Sequence, residues 1–194
     1  MITLSSHKRS NNTVITSISS PVFSTAMTSG AQAALGGNLY SISLDPSTLR
    51  ASSGLIEVNL QNPNYSQKTI SLQSILIGLI IQGDSSNGID IDFMRDGTFS
   101  GGSLLVASNR NFGSSKTSIT TTKYVDNTTT NALSGATLIA SFRMPIQTGQ
   151  AIFNIQGDID IPPAHSFTLK MANTTSTNAG IVSITMVWSE INQV

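Results

Sequence analysis

Apolar and polar residues alternate with a period of two along most of this chain. In residues 181–190, Val182, Ile184, Met186 and Trp188 fall on one side, and Ser183, Thr185 and Ser189 on the other. That is the pattern of a strand buried on one face. The stretch before it, 158–173, reads as a strand, a Pro162-Pro163 turn and a second strand. Upstream, residues 39–44 form a short strand that ends at Asp45-Pro46, and residues 55–61 carry Ile56, Val58 and Leu60 on one face before Asn62-Pro63-Asn64. Residues 68–81 predict one bent strand or two successive ones. Their apolar run is continuous, which predicts burial on both faces. Residues 89–95 place Ile89, Ile91 and Phe93 opposite Asp90, Asp92 and Met94. Shorter strands are predicted at 103–107 and 117–124, with a polar loop at 126–131. In 137–146, Leu138, Ala140, Phe142 and Met144 share a face, and 151–155 and 158–161 flank Gln156-Gly157.

About ten strands at roughly 8–12-residue spacing, with no long helical period, predict an all-β antiparallel sandwich or barrel. No repeat of roughly 20–50 residues points to a solenoid or propeller. Residues 1–37 differ from the rest. They are rich in Ser and Thr, with scattered Val14, Ile15, Ile18, Val22 and Phe23, and they end in Gly36-Gly37. Two readings stand for them: an extended arm that orders on contact, or a tail without fixed structure. The expected organisation is an N-terminal arm, 1–37, and one β-sandwich domain, 38–194.

Composition sharpens this picture. Ser, Thr and Asn together supply roughly a third of the 194 residues, and only 10% are charged, against about 25% in an average soluble domain. Such side chains compete for backbone hydrogen bonds and disfavour helix interiors. The net charge of +0 gives no steering toward nucleic acid or an anionic membrane, and it removes one barrier to self-association. With no cysteine, disulfides, thiol catalysis and Cys-ligated zinc are excluded. The longest apolar run, 75–81, is far shorter than the roughly 18 residues that a membrane-spanning helix needs. The basic pair Lys8-Arg9 precedes a polar stretch with no secretory apolar segment, so synthesis in a cytoplasm is expected.

Candidate chemistry is sparse. His7 lies in the arm, and His165 follows the proline pair, with Asp158 and Asp160 on the preceding strand. No Gly-x-Ser-x-Gly elbow accompanies them, and a solvated turn histidine is the simpler reading. Asp90 and Asp92 share a strand face and could join Asp96, Asp158 or Glu57 in an acid cluster, but a polar outer face is the simpler reading here too. Asp84-Ser-Ser-Asn-Gly departs from a calcium loop: its glycine falls at the fifth position and Ser86 at the third. Neither a metal nor a cofactor is expected, and no enzyme. The sequons at Asn11, Asn64, Asn127 and Asn173 follow from the composition. Tyr40, Tyr65, Tyr124 and Trp188 are candidates to stack on sugar. Trp188 alternates with core positions, and Tyr65 beside its proline turn is the expected exposed ring.

Several motifs occur in one order: Leu55-x-Glu-Val-x-Leu-Gln-Asn-Pro; Ile-Asp-Ile-Asp-Phe-Met-Arg-Asp-Gly-Thr-Phe-Ser-Gly-Gly at 89–102; Ala-Ser-Asn-Arg-Asn-Phe-Gly-Ser-Ser at 107–115; Ile-Pro-Pro at 161–163 with Ser-Phe-Thr-Leu at 166–169; and Trp188-Ser-Glu. In this order, residues 38–190 resemble jelly-roll accessory proteins of tailed-bacteriophage particles. The resemblance implies a jelly-roll sandwich located in the virion, as a decoration or cement protein, a head fibre or a tail component. It also implies a homo-oligomer, with a trimer favoured, bound to the major capsid or other virion proteins. Ile75, Ile77, Leu79, Ile81 and Trp188 are the expected subunit-interface residues. A receptor- or glycan-binding module is the alternative, with Tyr65, Asp84, Asn87 and Asp90 as contacts to a host-surface glycan. A polysaccharide-degrading tail enzyme is the weakest of the three readings; turnover on host polysaccharide that is lost in Asp92→Ala would revive it.

Overall fold

A computed structural model of the chain describes residues 29–81, 88–145, 149–173 and 178–192. Among the described residues, one short helix, α1 (Ser29–Leu35), precedes thirteen strands. These are β1 (Leu39–Leu49), β2 (Gly54–Gln61), β3 (Lys68–Ile81), β4 (Gly88–Arg95), β5 (Thr98–Phe99), β6 (Ser103–Leu105), β7 (Ser108–Asn109), β8 (Thr121–Thr128), β9 (Leu133–Ser134), β10 (Thr137–Pro145), β11 (Gly149–Ile161), β12 (Ser166–Asn173) and β13 (Gly180–Asn192).

Every strand pairing is antiparallel. One sheet runs β11-β3-β13-β1-β7 and a second runs β10-β4-β12-β2-β8-β6, with β5-β9 as a small ribbon. Period-2 alternation sends one row of each strand inward. Ile42 and Leu44, Ile75, Ile77 and Leu79, and Val182, Ile184 and Met186 from the first sheet form one buried cluster with Ile56, Val58 and Leu60, Ile89, Ile91 and Phe93, and Phe167, Leu169 and Met171 from the second. The chain is therefore an all-β antiparallel sandwich, as its alternation predicts.

Local departures from the expected strands have physical reasons. β1 does not stop at Asp45-Pro46. Its register against β13 shifts between Leu44 and Ser47, so one extra residue bulges out where proline has no N–H to donate. The two strands expected around Gln156-Gly157 are one element, β11. Its register against β3 jumps between Asn154 and Ile159, with positive φ at both Gln156 and Gly157. β3 is a single strand with its own bulge at Gln73, where Val187 pairs with Ser74 and Trp188 with Leu72. The Gln73 amide donates to the Ser189 hydroxyl at 3.2 Å. The strand expected at 117–124 lies later, at β8, and takes in the start of the loop expected at 126–131.

The end of the expected arm is helical. Residues 29–35 form α1, where Ala31, Ala33 and Ala34 are strong helix formers. The helix closes in a Schellman motif: Asn38 N–H donates to Ala33 C=O at 2.8 Å and Gly37 N–H to Ala34 C=O at 3.0 Å, with Gly37 at φ 67°. Residues 1–28, the rest of the expected arm, lie outside the described residues.

The long excursion between β4 and β10 folds back over the outer side of β2 and β12. There Ala132 N–H donates to the buried Glu57 carboxylate at 2.7 Å, and Asn59 donates to Thr168 at 2.9 Å, both side chains buried. Among the described residues, the outer face of the other sheet is covered at one end, where α1 lies beside Gln73 and Leu39, Ser71 and Ser189 are buried, and is exposed toward Leu76 and Ile80.

Candidate functional site

The exposed part of that face carries an apolar strip formed by the long strands β3, β11 and β13. Upstream of the Gln73 bulge the inward residues of β3 are Ile70 and Leu72; downstream they are Ile75, Ile77 and Leu79. The extra residue switches the parity of the strand. Leu76, Gly78 and Ile80 consequently point outward. Ile152 of β11 pairs beside Leu76, and Ile181 of β13 pairs beside Ile80. Leu76 is 37% exposed, Ile80 51%, Ile152 60% and Ile181 48%.

Between them the backbone at Gly78 forms the floor of a groove of about 440 Å3, flanked by Pro46, Gln150 and Ser183. A Cβ at Gly78 would meet the Ser183 hydroxyl at 2.6 Å, so glycine keeps this floor low. Ser43 and Thr185 hydroxyls lie 3.1 Å apart across β1 and β13. No charged residue occurs in 41–44, 74–80, 149–154 or 181–187. A flat, uncharged, partly apolar face of this kind has the composition of an interface core, where charged residues are depleted.

The expected interface residues need correcting accordingly. Ile75, Ile77, Leu79 and Trp188 are fully or almost fully buried inside the sandwich, and Trp188 stacks against Tyr40 with ring centroids 6.4 Å apart. They fill the chain's own core and offer nothing to a partner. The side chain of Ile81 lies outside the described residues. The burial of β3 on both faces is likewise overturned, since its even-numbered residues from Leu76 to Ile80 are open. The exposed row of β3 has the opposite parity to the expected one. Ile152 and Ile181 join that row through the register, and cross-strand adjacency cannot be read from the sequence before the register is known.

The expected glycan contacts do not come together as a set. Tyr65 is exposed, as its proline turn predicts, whereas Tyr40 is buried and Tyr124 packs on the core. Asp84 and Asn87 lie outside the described residues. Asp90 sits at the far end of the second sheet, opposite Ala172 on β12 and 3.8 Å from Arg143. The Tyr65 turn follows Gln61, which pairs with Ser166 at the other end of β12. Six residues of strand separate the two ends, about 20 Å at 3.3 Å per residue.

His165 finds Asp96 as its partner. Its Nδ1 lies 2.9 Å from Asp96 Oδ1, and Asp96 N–H donates to Ser166 C=O at 2.9 Å. The hydrogen bond from His165 lowers the Asp96 carboxyl from its ordinary value; partial burial opposes this, while the Ser166 amide and the nearby Arg95 charge act in the same direction as the hydrogen bond. Asp158 and Asp160 line the same open cleft. The pair staples the turn after β4 to the turn before β12, with both side chains largely solvated. Among the described residues no three His, Asp or Glu side chains are grouped to hold a metal ion, and no helix is long and apolar enough to cross a membrane.

No family model, curated protein or solved structure matches this chain.

Proposed function

We propose that the chain is a structural building block of a tailed-phage particle, a decoration or cement protein that binds neighbouring capsid subunits and its own copies. The observation that carries this reading is the uncharged apolar outer face around Leu76, Gly78, Ile80, Ile152 and Ile181. The strand order supports it. Numbering the eight strands that fill the core from 1 to 8 (β1 to β4, then β10 to β13) gives sheet orders 6-3-8-1 and 5-4-7-2. That order is the one expected of a jelly roll, an architecture of viral capsid domains.

The mechanism is burial of surface. A standard interface removes about 800 Å2 per partner. With a little over half of it apolar, at about 25 cal/mol per Å2 the gross gain is roughly 20 kcal/mol, against about 4–15 kcal/mol of lost freedom. The outer face supplies the centre of such an area, and a homotrimer is the favoured assembly.

Co-sedimentation with particles assembled without this protein tests the reading. The intact chain should pellet with them and Ile80→Asp should stay in the supernatant. Equal pelleting of both forms would remove the outer face from the account. No pelleting of the intact chain would overturn the particle role itself.

A further inference from the structure

A second surface feature has no role in assembly through the outer face. Tyr65 lies in the turn between β2 and β3, and its side chain is 81% exposed. The turn beneath it is held firmly. Ser66 N–H donates to Pro63 C=O at 3.0 Å. Asn62 is fully buried; its amide nitrogen donates to Lys68 C=O and to Ile161 C=O, each at 2.8 Å, and its amide oxygen accepts from the Ser66 hydroxyl. The Asn62 backbone also pairs in both directions with the neighbouring turn: its N–H donates to His165 C=O and its C=O accepts from Ala164 N–H, both at 3.0 Å. Every polar atom of Asn62 is therefore engaged, and the network fixes the platform on which the ring stands.

Beside the ring is a shallow concavity of about 390 Å3 lined by Gln61, Pro63, Asn64, Tyr65, Thr121 and Ala164. Its volume falls in the range of small-molecule sites, about 300–1,000 Å3. Its chemistry is specific: one aromatic ring, two amides that both donate and accept, one hydroxyl, and no charged side chain.

We propose that this groove binds a neutral polysaccharide, with one pyranose ring stacked on Tyr65 and its hydroxyls bonded to Gln61, Asn64 and Thr121. A pyranose presents an apolar C–H face flanked by hydroxyls, which matches an exposed ring bordered by amides. A phosphate or carboxylate ligand has no cation in this lining to meet it. The site lies at the β2–β3 corner, away from the Leu76–Ile80 strip, so sugar binding and assembly occupy different surfaces. A single shallow groove of this kind binds weakly, and several copies on one assembly would raise the avidity.

The test is saturation-transfer NMR on the intact chain with three neutral hexasaccharides: β-1,4-glucose, β-1,4-N-acetylglucosamine and α-1,4-glucose. At least one should receive saturation on its ring protons. Tyr65→Ala should weaken that binding roughly fivefold or more, Tyr65→Phe should retain it because stacking survives, and Asn64→Ala should weaken it without lowering thermal stability. Absence of transfer to all three at millimolar sugar would overturn the proposal. So would binding that survives Tyr65→Ala unchanged.

Discussion

Asn62 and Glu190 show how much single buried polar groups hold together here. Asn62 joins three turns and strands through five hydrogen bonds. Asn62→Ala would remove the buried donor to the Ile161 carbonyl, one of the two donors to the Lys68 carbonyl and the acceptor of the Ser66 hydroxyl, and the expected loss is about 3 kcal/mol of unfolding free energy by denaturant titration. Glu190 is buried on β13 and accepts from Lys68 at 3.0 Å, the Ser118 hydroxyl at 2.6 Å and Ile119 N–H at 3.0 Å. It ties the loop before β8 to the first sheet, and its charge helps burial to raise the Tyr40 phenol above its ordinary range. Asp96 acts at the surface. Its carboxyl is depressed in the folded chain, so its stabilising contribution is present above the unfolded carboxylate range and is lost as pH falls through the folded value. The melting temperature of Asp96→Asn should therefore lie slightly below that of the unaltered chain at pH 6, and the gap should close as pH falls through the folded carboxyl's lowered range. A gap that stayed constant with pH would contradict the pairing with His165.

Among the elements, the bulge at Gln73 decides what β3 does. It switches the inward row from Ile70 and Leu72 to Ile75, Ile77 and Leu79, and so presents Leu76 and Ile80 to solvent. Deleting Gln73 would force one half of the strand to turn its apolar row outward. The expected result is loss of the cooperative unfolding transition or a destabilisation above about 4 kcal/mol. This is also where sequence reading stops. Strands with clean alternation, such as β4 and β13, were legible because one row is apolar and the other polar. β3 between residues 75 and 81 is apolar on both rows, so alternation carries no parity and the run reads as buried on both sides. Likewise, Tyr65 could be placed outside from its proline turn alone. The concavity beside it could not, because Thr121 and Ala164 come from elements 56 and 99 residues along the chain that only the register brings together. α1 escaped notice because seven residues are too few to show a helical period.

At the scale of the molecule, and among the described residues, one outer face of the sandwich is covered by the chain's own excursion, while the other is covered by α1 at one end and exposed around Leu76 and Ile80. The excursion between β4 and β10 seals the second sheet around Glu57, Asn59 and Thr168, while the first sheet keeps an uncharged apolar strip. A chain with so few charged residues and no net charge has little to repel a second copy from that strip. The most direct measurement is the solution mass by light scattering on a sizing column, for the unaltered chain and for Leu76→Asp/Ile80→Asp. Both substitutions are on the outward row of β3, and a cooperative melt of the variant would confirm that it is still folded. The unaltered chain is expected to form a trimer that persists on dilution, and the variant a folded monomer. A monomer at micromolar concentration for the unaltered chain, or an oligomer that the two aspartates leave intact, would contradict this expectation.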